Sequence, residues 1–77
     1  MEKREDFLMR FASVVRAKRD SMGWSRQDLS AASGIPIESI EEWEEMHSIP
    51  PLEGVRALAD AFSCSMDELA GRIWSND

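Results

Sequence analysis

Two groups of charged side chains in this 77-residue chain could do chemistry, and they pull in opposite directions. Glu38, Glu41, Glu42 and Glu45 recur at i, i+3, i+4 and i+7, the spacing that puts side chains on one face of a helix. Four carboxylates there offer hydrogen-bond acceptors only, and they repel phosphates. Arg10, Arg16, Lys18, Arg19 and Arg26 form the opposite group, able to neutralise phosphates. Between Arg26 and Arg56 there is no Lys or Arg. Each group also has a plain alternative. The carboxylates could be a solvated surface, and the cations could pair with Asp6, Asp20 and Asp28 nearby in sequence.

Catalytic chemistry has no visible machinery. Cys64 has no base placed to activate it and suits a small core position. His47 falls between expected helices and should be exposed. One Cys and one His cannot supply a zinc site or an intramolecular disulfide. The expectation is therefore a non-enzyme with no cofactor and no metal.

The net charge of −6 conceals an asymmetry. Residues 1–32 carry seven basic and five acidic side chains, whereas residues 33–77 carry two basic and ten acidic. No apolar run approaches the ~20 residues that span a bilayer. No signal-peptide apolar stretch follows the charged start. These features lead to the expectation of a soluble cytoplasmic protein with no membrane partner.

Positioning these side chains requires helices, and the sequence supplies signals for five around one core, an all-α single domain over 1–77. Phe7, Phe11, Val14, Val15 and Met22 make an apolar stripe on a first helix from about Glu5 to Met22, ended by Gly23. Ser25 with Asp28 is a weak capping box for a second helix, and Ala31, Ala32 and Gly34 are small enough for a close crossing. A third helix starts near Pro36, with Ile37, Ile40 and Trp43 turned inward, and Pro50-Pro51 stops continuation. A fourth, from about Leu52 to Phe62, places Leu52, Val55, Leu58, Ala59 and Phe62 on one side. Ser65 with Glu68 caps a fifth, carrying Met66, Leu69 and Ile73.

The order of motifs resembles the Cro/lambda-repressor-like helix-turn-helix family, also called the xenobiotic-response-element type. Val15-Arg16-x-x-Arg19-x-x-x-Gly23-Trp24-Ser25 is similar to its first helix and turn, and Leu29-Ser30-x-x-Ser33-Gly34-Ile35 to its second helix and tight turn. Ile40-x-x-Trp43-Glu44 followed by Pro50 is similar to the close of its recognition helix. Leu58-Ala59-x-Ala61-Phe62-x-Cys64-Ser65-x-Asp67-Glu68-Leu69 is similar to its last two helices. The likeness covers about residues 11–71, leaving 1–10 as an extension of the first helix and 72–77 as a tail.

The resemblance implies a compact five-helix DNA-binding domain of a transcriptional regulator, working as a homodimer on double-stranded DNA. It implies phosphate contacts from Arg16, Arg26 and Gln27, with Arg26 standing where the family usually has Gln. It aims Ile37, Glu38, Glu41 and Glu42 at the major groove. It pairs Arg19 with Glu44 as a structural ion pair, and it puts Trp24 and Trp43 at core positions. Ile73 and Trp74, beyond the last motif, are the candidate dimer contact. The sequence departs from the family at Pro36, where a Ser or Thr usually caps the recognition helix and touches a phosphate. It departs again at Met46, where Gly is common, and at His47 and Ser48, which replace basic residues. These departures keep a second expectation open: a protein-interaction helix-turn-helix module whose acidic third helix docks on a basic protein partner, with little or no DNA binding.

Overall fold

The computed structural model describes residues 4–70, with side chains described over 6–69. Five helices follow in order: α1 Arg4–Met22, α2 Arg26–Ser33, α3 Ile37–Glu44, α4 Leu52–Phe62 and α5 Met66–Ala70. Among the described residues there is no strand. Helix α1 packs on α3 and α5, α2 packs on α3 and α4, and α4 packs on α5. The core is therefore enclosed on every side by helix. No helix of the described residues is long and apolar enough to cross a membrane.

Local signals fix the helix ends. At α2 the capping box is complete despite the shorter acid: the Asp28 N–H donates to Ser25 Oγ at 3.1 Å and the Ser25 N–H to Asp28 Oδ2 at 2.9 Å. At α5 the Glu68 N–H donates to Ser65 Oγ at 3.1 Å, and the Ser65 N–H reaches Glu68 Oε1 at 3.4 Å. Helix α3 has no side-chain cap, because Pro36 stands at that position. The end of α3 forms a Schellman turn without glycine: Met46 takes φ 62°, the His47 N–H donates to the Glu42 carbonyl at 2.8 Å and the Met46 N–H to the Trp43 carbonyl at 3.3 Å. A left-handed backbone at a residue with a Cβ costs roughly 1–2 kcal/mol, and the two bonds at the turn offset part of it.

Phe11, Val15, Leu29, Ile40, Val55, Leu58 and Leu69 are almost wholly inaccessible to water. Each contributes about 1.5–3 kcal/mol by burial. Trp24 stacks on Phe62 with ring centroids 5.9 Å apart. Trp43 is buried against Gly54 in the first turn of α4, where a methyl group would lie 2.6 Å from Trp43 Cη2.

Three sequence expectations need correction. Ala31, Ala32 and Gly34 are exposed, so their small size does not serve a close helix crossing. Met22 and Leu52 are exposed at 44% and 64% rather than joining the core stripes. Each stands at a helix end, the last residue of α1 and the first of α4. Leu8 and Ala12, outside the expected stripe, are buried instead.

Candidate nucleic-acid interface

The α2–α3 turn is pinned by short-range hydrogen bonds. Gly34 takes φ 78°, a left-handed conformation that glycine adopts without strain, and its N–H donates to the Ser30 carbonyl at 2.9 Å. Ser30 Oγ donates to the Ile35 carbonyl at 2.5 Å, and Ser33 Oγ to the Leu29 carbonyl at 2.8 Å. The Ile35 N–H completes the set by donating to Ser33 Oγ at 3.2 Å. With Ile35 buried below, this turn sets the angle between α2 and α3.

Helix α3 then divides cleanly. Ile40, Trp43 and Glu44 are buried, Glu38, Glu42 and Glu45 are exposed, and Ile37 and Glu41 are half-buried at the boundary. The outer face is thus acidic along its length. On this face Ser48 Oγ donates to Glu42 at 3.2 Å.

Beneath that face lies a buried charge node. The side chain of Glu44 has no exposure at all, while Arg19 keeps 14% and Arg26 30%. Arg19 grips the carboxylate with a fork, Nε to Oε2 at 2.6 Å and Nη2 to Oε1 at 2.9 Å. Its third nitrogen, Nη1, donates to the Trp24 carbonyl at 3.0 Å. Arg26 adds a bond from Nε to Glu44 Oε1 at 3.1 Å and another from Nη1 to Glu45 Oε2 at 3.2 Å. One carboxylate therefore ties α1 and α2 to the end of α3. Glu44 sits at the negative end of the α3 dipole, and two guanidinium groups offset what would otherwise be an unfavourable placement. The bond to Glu44 raises the pKa of Arg19 against a burial that lowers it. At Arg26 burial again lowers the value, and the bonds to Glu44 and Glu45 together outweigh it.

The other cations are placed differently. Lys18 donates to Glu68 Oε2 at 3.0 Å and so links α1 to α5. Arg16 and Gln27 are exposed, and Arg16 has no ion-pair partner among the described residues. Arg10 is exposed beside Asp6, Met9 and Ser13, which line a shallow open groove on α1. The partners of Lys18 and Arg26 are not the acids adjacent in sequence but acids brought in from α5 and the end of α3. No local spacing signals these contacts; the pair of acids at positions 44 and 45 was the available hint. Ile73 and Trp74 lie outside the described residues.

Comparison with known proteins follows the same geometry. Residues 15–69 match the family described as helix-turn-helix, from the second half of α1 into α5. The chain belongs to the Cro/lambda-repressor-like helix-turn-helix family. Membership makes it a repressor-like, all-α domain of a DNA-binding family. It is 28% identical over 69 residues to the cryptic phage CTXphi transcriptional repressor RstR of Vibrio cholerae serotype O1. That alignment covers 90% of this chain and 61% of the relative, so the chain spans less than two thirds of that protein's length. No solved structure matches the chain.

Proposed function

We propose that this helix-turn-helix domain regulates transcription by binding double-stranded DNA as a homodimer on a two-fold site. The observation that carries the proposal is the intact helix-turn-helix itself: a pinned turn, a buried Arg19–Glu44 brace and an outward α3, in a family of DNA-binding domains. The relative's name as a transcriptional repressor supports it further. Arg16, Arg26 and Gln27 then contact phosphates, and Ile37, Glu38, Glu41 and Glu42 enter the major groove. Carboxylates accept from cytosine N4 but donate nothing, so discrimination between base pairs is weak. Ile73 and Trp74 serve as apolar anchors of the dimer, whose two copies bring two half-sites into one binding event.

A second reading rests on a specific observation. Arg26, the one Lys or Arg in the sequence between α2 and the middle of α4, already bonds two carboxylates, while among the described residues no cation pairs with Glu38, Glu41 or Glu42. Such a face fits a basic protein partner. One variant separates the two: Glu38→Gln, Glu41→Gln and Glu42→Gln together. If α3 meets DNA, removing three negative charges strengthens duplex binding markedly, and the new amides pair with adenine. If α3 meets a basic protein, the same change abolishes that complex and its salt dependence. A variant that changes neither refutes both roles for the helix.

A further inference from the structure

Arg26 occupies the first position of α2, an unfavourable place for a cation, because the N-terminal end of a helix carries partial positive charge. It is held there by anions: Nε on Glu44 and Nη1 on Glu45. The two carboxylates differ in what else they do. Glu44 is buried and braces α1 through Arg19, so the fold needs it. Glu45 is half exposed at 49%, lies just past the end of α3, and its other close group is His47 Nδ1 at 3.8 Å, across a contact that attracts only when His47 is protonated. No buried structure depends on Glu45. It stands at the mouth of α2, where an incoming phosphate would meet Arg26.

We infer that Glu45 is an internal competitor of the DNA phosphate, a carboxylate latch that occupies Arg26 and sets how tightly the domain holds DNA. The inference rests on the DNA-binding proposal and deepens it by naming the residue that holds affinity down. Binding DNA requires Arg26 to exchange the Glu45 oxygen for a phosphate oxygen, while the Glu44 bond keeps the guanidinium in place. Only the difference between the two partners then contributes to binding. Glu45→Gln leaves an amide oxygen that is a poorer acceptor for a cation. Arg26 Nη1 then meets the phosphate without first giving up a carboxylate.

The test is a double-mutant cycle in duplex binding across a salt titration, using the full chain with Glu45→Gln, Arg26→Ala, the pair, and Glu42→Gln as a charge-matched comparison. With the latch, Glu45→Gln tightens binding several-fold while the log K against log salt slope stays close to that of the wild type, because Arg26 meets the same phosphate in both proteins. That gain in affinity disappears in the Arg26→Ala background. The gain from Glu42→Gln, whose carboxylate pairs with no cation among the described residues, survives Arg26→Ala unchanged. If Glu45→Gln gains as much without Arg26 as with it, the effect is bulk charge and the latch is refuted. If every chain, including the Glu38→Gln, Glu41→Gln, Glu42→Gln variant, shows no duplex binding, the DNA-binding proposal itself fails and the latch falls with it. Thermal melts of the same proteins exclude a folding effect, since Glu45→Gln should melt with the wild type.

Discussion

Removing Glu44 should cost far more than removing an exposed charge of this domain. Its carboxylate is wholly inaccessible and accepts three charge-assisted bonds, two from Arg19 and one from Arg26. Breaking a buried ion pair by deleting one partner costs about 3–5 kcal/mol, against about 0–1 kcal/mol for an exposed pair. The two arginines retain 14% and 30% exposure and can recover some hydration, which favours the lower end. We therefore expect Glu44→Ala to lose about 3 kcal/mol, a large share of the roughly 4–12 kcal/mol expected for a domain of this length. The melting temperature should fall by about 12 °C or more, at ~4–8 °C per kcal/mol. Arg19→Ala should cost at least as much, because it strands Glu44 on one Arg26 bond and frees the Trp24 carbonyl. Arg26→Ala should cost only about 1 kcal/mol, since the Arg19 fork survives. Urea unfolding followed by far-UV circular dichroism measures all three. In the Arg19→Ala, Glu44→Ala double variant the combined loss should be smaller than the sum, as for residues in direct contact. Single losses within about 0.5 kcal/mol of wild type, the range of ordinary surface substitutions, would refute the brace.

Further expectations follow from other contacts. Gly54→Ala puts a methyl group 2.6 Å from the buried Trp43 ring, so the clash should outweigh the better helix propensity of Ala and destabilise by about 1–3 kcal/mol in the same urea assay. The bond from Lys18, with help from the Ser65 N–H, holds the Glu68 carboxyl below its ordinary value, so its contribution is full above the unfolded value and lost as pH falls through the folded one. The stability difference between wild type and Glu68→Gln should thus be constant above about pH 5 and shrink only in more acidic solution; a difference that grows on acidification would contradict the pairing. A chain ending at Arg72, lacking Ile73 and Trp74, should sediment as a monomer where the full chain dimerises; an unchanged association state would remove the tail from the interface.

Helix existence was legible because each end carries its own chemistry. Gly23, the Ser25–Asp28 and Ser65–Glu68 boxes and Pro36 mark boundaries that the structure reproduces to within a residue, whereas α3 ends at Glu44, well before Pro50-Pro51, at the turn through Met46. Periodicity was less reliable at helix ends: Met22 and Leu52 continue their stripes but are exposed there, where the core ends. The small residues Ala31 and Ala32 suggested a close crossing, but both are exposed, and the tight contact at a small residue falls instead between Gly54 and the Trp43 ring. The charged contacts were the least legible. Lys18 with Glu68 is separated by 50 residues and Arg26 with Glu44 by 18, and only the folded chain brings them together. The Arg19 and Glu44 contact could be anticipated through the family resemblance, not through spacing.

The most direct test of DNA binding is a salt titration of binding to random duplex DNA. With Arg16 and Arg26 as the charged phosphate contacts, each contributes about 0.9 to the slope of log K against log salt, giving roughly −1.8 per protomer and about twice that for a dimer. Arg16→Ala should remove about half of the protomer's slope. A slope near zero, unchanged by Arg16→Ala, would contradict DNA binding and leave the acidic face of α3 to a basic protein partner.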